Sequence, residues 1–387
     1  MGIINKTFAV LCLSLVLAGA WDAAACTTAL VSAGASKTGR PLVFKQRDTS
    51  DPYNVLRHVK GGKYAYTGIF HASDKAAEES YGGANDAGFA IINNMSYNLH
   101  HDKYGPQNGY LISKALAECA TVSDFEAMVR AMPEPRRLEA NFGVADATGA
   151  IAYFEVGDLT ITRYDVPDGG WLVRSNFSIS GEAGKGSGMA RYETAYRTML
   201  SHKGKFAPED LIDGLGRTFY NALLRADMLR RSPAGVAVDL DFIPRTTTTS
   251  AICIEVPAHG EAPSGSIIWT AIGYTPCCYA VPVWVAAGDA IPAALAPAGE
   301  CGRSAANELA YILMRNVHPY DRDAAQKYID FRILKPILSR VRKAEKAERS
   351  DGRAVDKQMC EAGFNLAAVQ EFNHRSAERF EAFRKLF

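Results

Sequence analysis

The sequence predicts a layered α+β fold with a helical tail, and three observations predict it. Short apolar runs rich in Val, Ile, Phe, Tyr and Thr, separated by Gly, Asp and Asn, occupy residues 27 to 173, which is strand spacing. Helical periodicity comes in segregated pairs rather than after every strand, which argues against alternating βαβ units. Beyond Gly302 the spacing is helical almost without interruption. Hydrophobic residues make up 48% and charged residues 22% of the 387, a globular balance. With 43 basic against 42 acidic residues and no block of one sign, a nucleic-acid or acidic-membrane footprint is not supported.

Taken in order, the first element is a leader. Lys6 precedes an uncharged run from Phe8 to Ala20, then Ala23-Ala24-Ala25 and Cys26: the n-region, h-region and A-x-A site of a secretory signal. That run is 13 residues long, short of the roughly 20 a spanning helix needs, and no later stretch qualifies, so no integral membrane segment is expected. Strands follow at Thr28–Ser32, Pro41–Lys45, Tyr64–Phe70, Phe89–Met95, Phe142–Asp146, Ile151–Val156, Leu159–Tyr164 and Trp171–Arg174. A helix over Gly109–Ala120 and a second opening with the capping box Ser123-Asp124-Phe125-Glu126 interrupt them. Helical spacing returns at Ala190–Ser201 and Pro208–Met228, and strands at Ala251–Val256, Ser266–Ile272 and Val281–Val285. The closing helices are expected to break near Pro319 and at Ser350–Gly352, with the mixed charges of Arg340–Arg349 as a solvated face.

Removal of residues 1–25 leaves seven cysteines: Cys26, Cys119, Cys253, Cys277, Cys278, Cys301 and Cys360. In an exported chain, paired thiols tend to close, so up to three disulfides are expected with Cys26 as the odd one. A zinc site at Cys253, Cys277, Cys278 and Cys301 is the rival reading, weakened by the absence of C-x-x-C knuckles. Cleavage after Ala25 would leave Cys26 with both a thiol and a free α-amine. An amine titrating near 8 can take the proton of its own thiol at neutral pH, and the thiolate can then attack a carbonyl and form an acyl-enzyme. Such a centre needs a carboxylate to hold the amine, donors for the oxyanion and a cation near the thiolate. Two other readings of Cys26 stay open, a disulfide partner and the lipid-modified cysteine of an anchored binding lipoprotein.

Six motifs then recur in one order: Cys26-Thr27-Thr28, Phe44-Lys45-Gln46-Arg47-Asp48, Gly83-Ala84-Asn85-Asp86-Ala87-Gly88-Phe89, Val144-Ala145-Asp146-Ala147-Thr148-Gly149, Ser175-Asn176-Phe177 and Ala190-Arg191-Tyr192. Together they resemble the N-terminal-nucleophile hydrolases of the choloylglycine hydrolase and penicillin acyltransferase group, which cleave linear C–N amides or transfer the acyl group. The resemblance ends near residue 285. It implies a four-layer αββα sandwich over residues 26–300, with residues 301–387 as a helical extension packed on it. It also implies that Cys26 is nucleophile and, through its amine, base, and that Asp48 holds that amine. The bile-salt branch places arginine three residues before this aspartate, where the chain has Lys45, so the cation near the thiol is either Lys45 or Arg47, with Arg47 preferred. Asn176 matches an oxyanion donor and Arg191 a motif arginine. Of Asn93 and Asn94, Asn94 is taken for the site. Thr28 reads equally as an active-site hydroxyl or a strand residue.

Other features are less pointed. His100-His101-Asp102 lacks a third ligand pattern. Gly181–Gly188 lacks the spacing of a phosphate loop and reads as a mobile loop near the site. Tyr53, Phe70, Tyr97 and Phe177 read as core before acyl pocket. The expected protein is an exported, periplasmic or extracellular cysteine amidohydrolase without cofactor or metal. Its partner is a small-molecule amide, with a homo-oligomer left open and an acyltransferase as the alternative.

Overall fold

The computed structural model describes residues 25–99, 107–319 and 328–387. In chain order its strands are β1 (Cys26–Val31), β2 (Leu42–Asp48), β3 (Asn54–Val59), β4 (Tyr66–His71), β5 (Gly82–Asn85), β6 (Ala90–Met95), β7 (Ala140–Ala145), β8 (Ile151–Val156), β9 (Ile161–Asp165), β10 (Trp171–Arg174), β11 (Tyr220–Asn221), β12 (Ala226–Asp227), β13 (Val236–Val238), β14 (Thr248–Glu255), β15 (Ile267–Ile272), β16 (Val281–Trp284) and β17 (Tyr328–Asp330). Sheet I has the order β10-β1-β2-β14-β15-β16, and sheet II is a seven-stranded meander from β3 to β9. Every pairing in both is antiparallel. Two further two-stranded ribbons pair β11 with β12 and β13 with β17.

The helices are α1 (Asn108–Glu118), α2 (Val122–Arg130), α3 (Met189–Ser201), α4 (Pro208–Gly214), α5 (Met228–Arg231), α6 (Ala305–Val317), α7 (Phe331–Ala362) and α8 (Leu366–Arg384). Strands β1 and β2 pack on β6 and β7, so the sheets lie face to face; α1 covers β5 and β6, while α3 and α4 cover β1, β2, β10 and β14. The order of layers is therefore αββα, as the resemblance implies. The pleat explains the division of side chains. Ile91, Phe142, Val144 and Phe154 turn outward to Leu111, Ile112, Leu116 and Phe125 of the helices, whereas Ile92, Ala145 and Tyr153 turn inward with Leu30 and Val43. Strands β1, β2 and β14 are buried along their whole length, because sheet I is covered on both faces. Helices α6 to α8 continue the cover: α6 packs on β15, α7 on β16, and α8 on α7. Among the described residues no helix is long and apolar enough to cross a membrane.

Several expectations are corrected. The helix expected over Pro208–Met228 stops at Gly214, since Gly214 and Gly216 stand two residues apart there and Gly weakens a helix interior. The capping box of α2 is Thr121 with Asp124, two residues earlier than expected: the Thr121 hydroxyl accepts from the Asp124 amide and the Asp124 carboxylate from the Thr121 amide. Helix α7 runs through Ser350–Gly352 unbroken and ends at Gly363. A Cβ on Gly352 would stand 2.6 Å from Pro282 Cγ, so this glycine is a contact between α7 and β16 rather than a stop. The charged face of α7 is only partly solvated, because Glu345 and Glu348 are buried in ion pairs with Arg217 and Arg379. The expected disulfides are absent among the described residues: all seven cysteines are free. Their placement gives the reason, with Cys119 in the core under α1 and α2 and Cys253, Cys277 and Cys278 in the core around sheet I. The leader and His100-His101-Asp102 lie outside the described residues.

Candidate active site

Cys26 is the first residue of β1 and is registered against Arg47 of β2. Ala25 precedes it in this structure, so its nitrogen is an amide and marks where the α-amine would stand after cleavage. That N–H donates to Asn176 Oδ1 at 2.8 Å. Arg191 completes the hold. Its Nη1 donates to the Cys26 carbonyl at 2.8 Å and to Thr27 Oγ1 at 3.3 Å, its Nη2 to Asn176 Oδ1 at 2.9 Å, and its Nε to Asp241 Oδ1 at 3.0 Å. Helix α3 delivers this guanidinium because it begins at Gly188, whose φ of +78° is a left-handed value that glycine adopts without strain. A Cβ there would lie closer to the Arg191 fork than any real contact allows. The glycine-rich segment thus has a packing reason as well as a loop conformation.

Asp48 ends β2 and is buried. Oδ1 accepts from the Thr248 hydroxyl at 2.6 Å, while Oδ2 is enclosed with no hydrogen-bond partner among the described residues. Burial pushes this carboxyl up to about 7, against the pull of Arg245, Arg191 and the Thr248 hydroxyl. Arg191 and Arg245 meet on one carboxylate, Asp241, which links α3 to the segment before β14.

The other cations occupy the face of β2 that turns toward sheet II. Arg47 Nη1 donates to Asn54 Oδ1 at 2.7 Å, its Nη2 is 2.9 Å from His71 Nε2, and its guanidinium lies 3.7 Å from the Tyr81 ring centre. His71 in turn lies 3.1 Å from Asp51, and burial together with the Arg47 charge pushes it down to about 4. Lys45 Nζ donates to the Tyr81 carbonyl and to Asn93 Oδ1, both at 2.7 Å. Burial lowers this ammonium to about 8.

All six expected residues, Cys26, Arg47, Asp48, Asn94, Asn176 and Arg191, are buried around the head of β1. The asparagines, however, are engaged differently from an oxyanion pair. The Asn176 NH₂ donates to the Met95 carbonyl at 2.9 Å, leaving its oxygen for Cys26 and Arg191. The Asn94 NH₂ donates to the Ser175 carbonyl, and its oxygen accepts from Thr28 Oγ1 at 2.8 Å. Thr28 in turn accepts from the Tyr153 hydroxyl at 2.9 Å. Both amides therefore tie the end of β10 to β1 and β6, while Asn93 is the partner of Lys45. Tyr97, which read first as core, is close enough to Cys26 for that thiol to raise its hydroxyl, after burial. Phe70 is core, and Phe177 rests on Tyr192 with ring centres 5.1 Å apart. Thr248, Asp241, Arg245, His71 and Tyr81 were not foreseen. No local pattern marks them, because each reaches the site through sheet pairing or a loop from far along the chain. Among the described residues no group of three or more His, Cys, Asp or Glu could hold a metal ion.

No family model and no curated protein matches the sequence. Solved structures do match. One is an N-acylethanolamine-hydrolyzing acid amidase orthologue from Caenorhabditis elegans, at 12% identity over 61% of this chain and 95% of that one, TM-score 0.42. A second is a penicillin V acylase from Agrobacterium tumefaciens, at 13% identity over 66% and 85%, TM-score 0.40. A third is a variant of conjugated bile acid hydrolase from Clostridium perfringens, at 11% identity over 64% and 89%, TM-score 0.38.

Proposed function

We propose that this chain is an exported cysteine amidohydrolase that becomes active when cleavage after Ala25 frees the nitrogen of Cys26, and that it cleaves linear N-acyl amides through an acyl-enzyme. The observation that carries the reading is the hold on residue 26: its nitrogen and its carbonyl are both fixed, by Asn176 and Arg191, in a buried setting. Both groups sit where the ladder of β1 begins, and the side chains that take them come from two segments, Asn176 and Arg191, that also bond each other. The enclosed Asp48 Oδ2 supports the same reading. An amide offers one N–H, already given to Asn176, whereas an α-ammonium offers three and a charge that suits a buried carboxylate.

In the reaction the α-amine takes the proton of the Cys26 thiol, and Sγ attacks the substrate carbonyl carbon as the C=O π pair moves to oxygen. Collapse breaks the C–N bond, and the α-ammonium returns the proton to the leaving amine. Water then adds to the thioester while the amine takes its proton, and the C–S bond breaks to release the acid. An amine in place of water would make the chain an acyltransferase.

The test is purified protein beginning at Cys26, incubated with a panel of N-acyl amino acids, bile-salt conjugates, penicillins and N-acyl amines. Cleavage by the wild type, with Cys26→Ser folded but reduced by at least 10²-fold, supports the assignment. Full activity of that variant rejects it, as would a mature N-terminus that carries lipid or begins elsewhere. Added amine acceptors that divert the acyl group would select the transferase reading.

A further inference from the structure

We propose that the cavity between the end of α7 and the connection from β14 to β15 is a binding site for a small organic ammonium ion, separate from the site around Cys26. The inference does not depend on the reading of Cys26, because occupancy can be measured without a substrate.

Register fixes the location. Cys26 pairs with Arg47, whereas Val31, at the other end of β1, pairs with Leu42. Leu42 pairs in turn with Glu255, Glu255 with Ile267, and Ile267 with Trp284. Arg40, Glu255, the β14 to β15 connection and Trp284 therefore gather at the end of sheet I opposite Cys26. A cavity of about 360 Å³ opens there, within the range of small-ligand pockets. Trp284, Met359 and Phe364 belong to its apolar wall, and Arg40, Glu261, Asp356 and Cys360 to its polar one.

Charge gives the ligand class. Arg40 is buried, and each of its nitrogens already donates: Nε to Glu261 Oε2 at 2.7 Å, Nη1 to the two Asp356 oxygens at 3.2 and 3.1 Å, and Nη2 to Cys360 Sγ at 3.3 Å. It is therefore not a free anchor for an anion. Arg353 Nη1 donates to Glu255 Oε2 at 2.6 Å and lies 4.0 Å from Asp356 Oδ2. Three carboxylates thus share two guanidiniums, and one negative charge is left over. Asp356 shows the shortage. A single nitrogen serves both of its oxygens, and burial, reinforced by Glu255, holds its carboxyl above the ordinary carboxylate value in spite of Arg40.

The end of α7 adds to the same field. Met359, Cys360 and Gly363 bring the last turn of this 32-residue helix to the cavity wall, and that turn carries no basic residue, although the unpaired carbonyls of a helix end favour a cation. Trp284 supplies an independent sign. It is 3% exposed, and its indole N–H has no hydrogen-bond partner among the described residues, a buried donor that a polar ligand atom would satisfy. Trp284 and Phe364 are also the kind of ring that attracts an ammonium. A metal ion fits less well, since among the described residues no group of three or more His, Cys, Asp or Glu could hold one.

The test is calorimetric titration of the purified chain beginning at Cys26 with phenethylammonium chloride at pH 7, with 2-phenylethanol and phenylacetate as the neutral and anionic counterparts. One charge-assisted contact corresponds to about tenfold or more in affinity. One ammonium per chain is therefore expected to bind about tenfold more tightly than the alcohol, with no saturable binding of phenylacetate. Asp356→Asn and Glu261→Gln are each expected to weaken the ammonium by about tenfold. Thermal melts verify folding, and E261Q, on the more exposed carboxylate, serves if D356N does not fold. Bound ammonium is also expected to slow alkylation of Cys360 by iodoacetamide and to leave that of the exposed Cys301 unaltered, read by peptide mass mapping. Absence of binding, equal affinity for ammonium and alcohol, undiminished affinity in the folded variants, or an unprotected Cys360 at saturation overturns the site. Binding as expected without cleavage of any amide would reject the proposed function and leave this site standing; cleavage without binding would do the reverse.

Discussion

Arg191 shows how one side chain can order a site. Its three nitrogens reach Cys26, Thr27, Asn176 and Asp241 from a buried position, so Arg191→Met releases the carbonyl and, through Asn176, the nitrogen of the same residue. A misplacement of this kind costs on the order of 10²-fold in rate, and kcat on the best N-acyl substrate is expected to fall by that amount; a loss under threefold would remove Arg191 from the site. Asp48 makes a pH-dependent prediction for the chain that still carries Ala25. Its folded carboxyl holds a proton to about 7, whereas the ordinary value is 3.8. Between those values the folded state binds more protons than the unfolded one, so this group's stabilisation is complete below pH 4 and is lost as pH rises through 7. Relative to Asp48→Asn, wild-type melting temperature is expected to decline from pH 4 to pH 7. A constant difference would show that the carboxylate has a charged partner already.

At the scale of elements, strands with strong apolar runs were legible and weakly patterned ones were not. The expected Ile151–Val156 and Trp171–Arg174 coincide with β8 and β10, because Val, Ile and aromatic residues there match a pleated, buried surface. Strand β3, with Arg57 and His58, and β5, Gly82-Gly83-Ala84-Asn85, have no such pattern; they exist because β4 and β6 offer unpaired backbone on either side. Helix α7 makes the same point in reverse. Read locally, Ser350–Gly352 is a break, but Gly352 is where α7 comes down on Pro282. Gly352→Val is therefore expected to destabilise the protein by about 1–3 kcal/mol through overpacking, against a gain from helix propensity if the site were solvent-exposed. Urea unfolding distinguishes the two signs.

For the whole molecule, the helices after residue 301 are joined to the strands of sheet I by a polar chain as well as by packing. Glu345 of α7 receives Arg217 through both nitrogens of its fork and also the Ala280 amide. Arg217 donates onward to the Thr275 carbonyl, and the Thr275 hydroxyl donates to Gln46 of β2. Glu345→Ala leaves the buried Arg217 guanidinium with only the longer 3.5 Å contact to Asp213 as a counter-charge, and is expected to cost ~3 kcal/mol, read as a loss of melting temperature with Cys26 still in place at permissive temperature. A change under ~1 kcal/mol would mean that water replaces the carboxylate and that α7 is a loose cover.

The sequence by itself determined what is local or ordered along the chain: the layered α+β class, most strong strands, and the motifs that carry Cys26, Asp48, Asn176 and Arg191, which do meet, whereas the Gly83–Phe89 and Val144–Gly149 motifs form turns at the other ends of β6 and β7. It could do so because side-chain periodicity and turn chemistry act over a few residues. The tertiary structure alone decided which atoms face the cysteine. Sheet pairing brings Asn176 to its nitrogen from 150 positions away, turns the Asn94 and Asn176 amides onto carbonyls, and gives Lys45 and Arg47 different partners although they share one face. A strand pattern fixes which side a residue faces, but the register and the opposing sheet fix what it meets there.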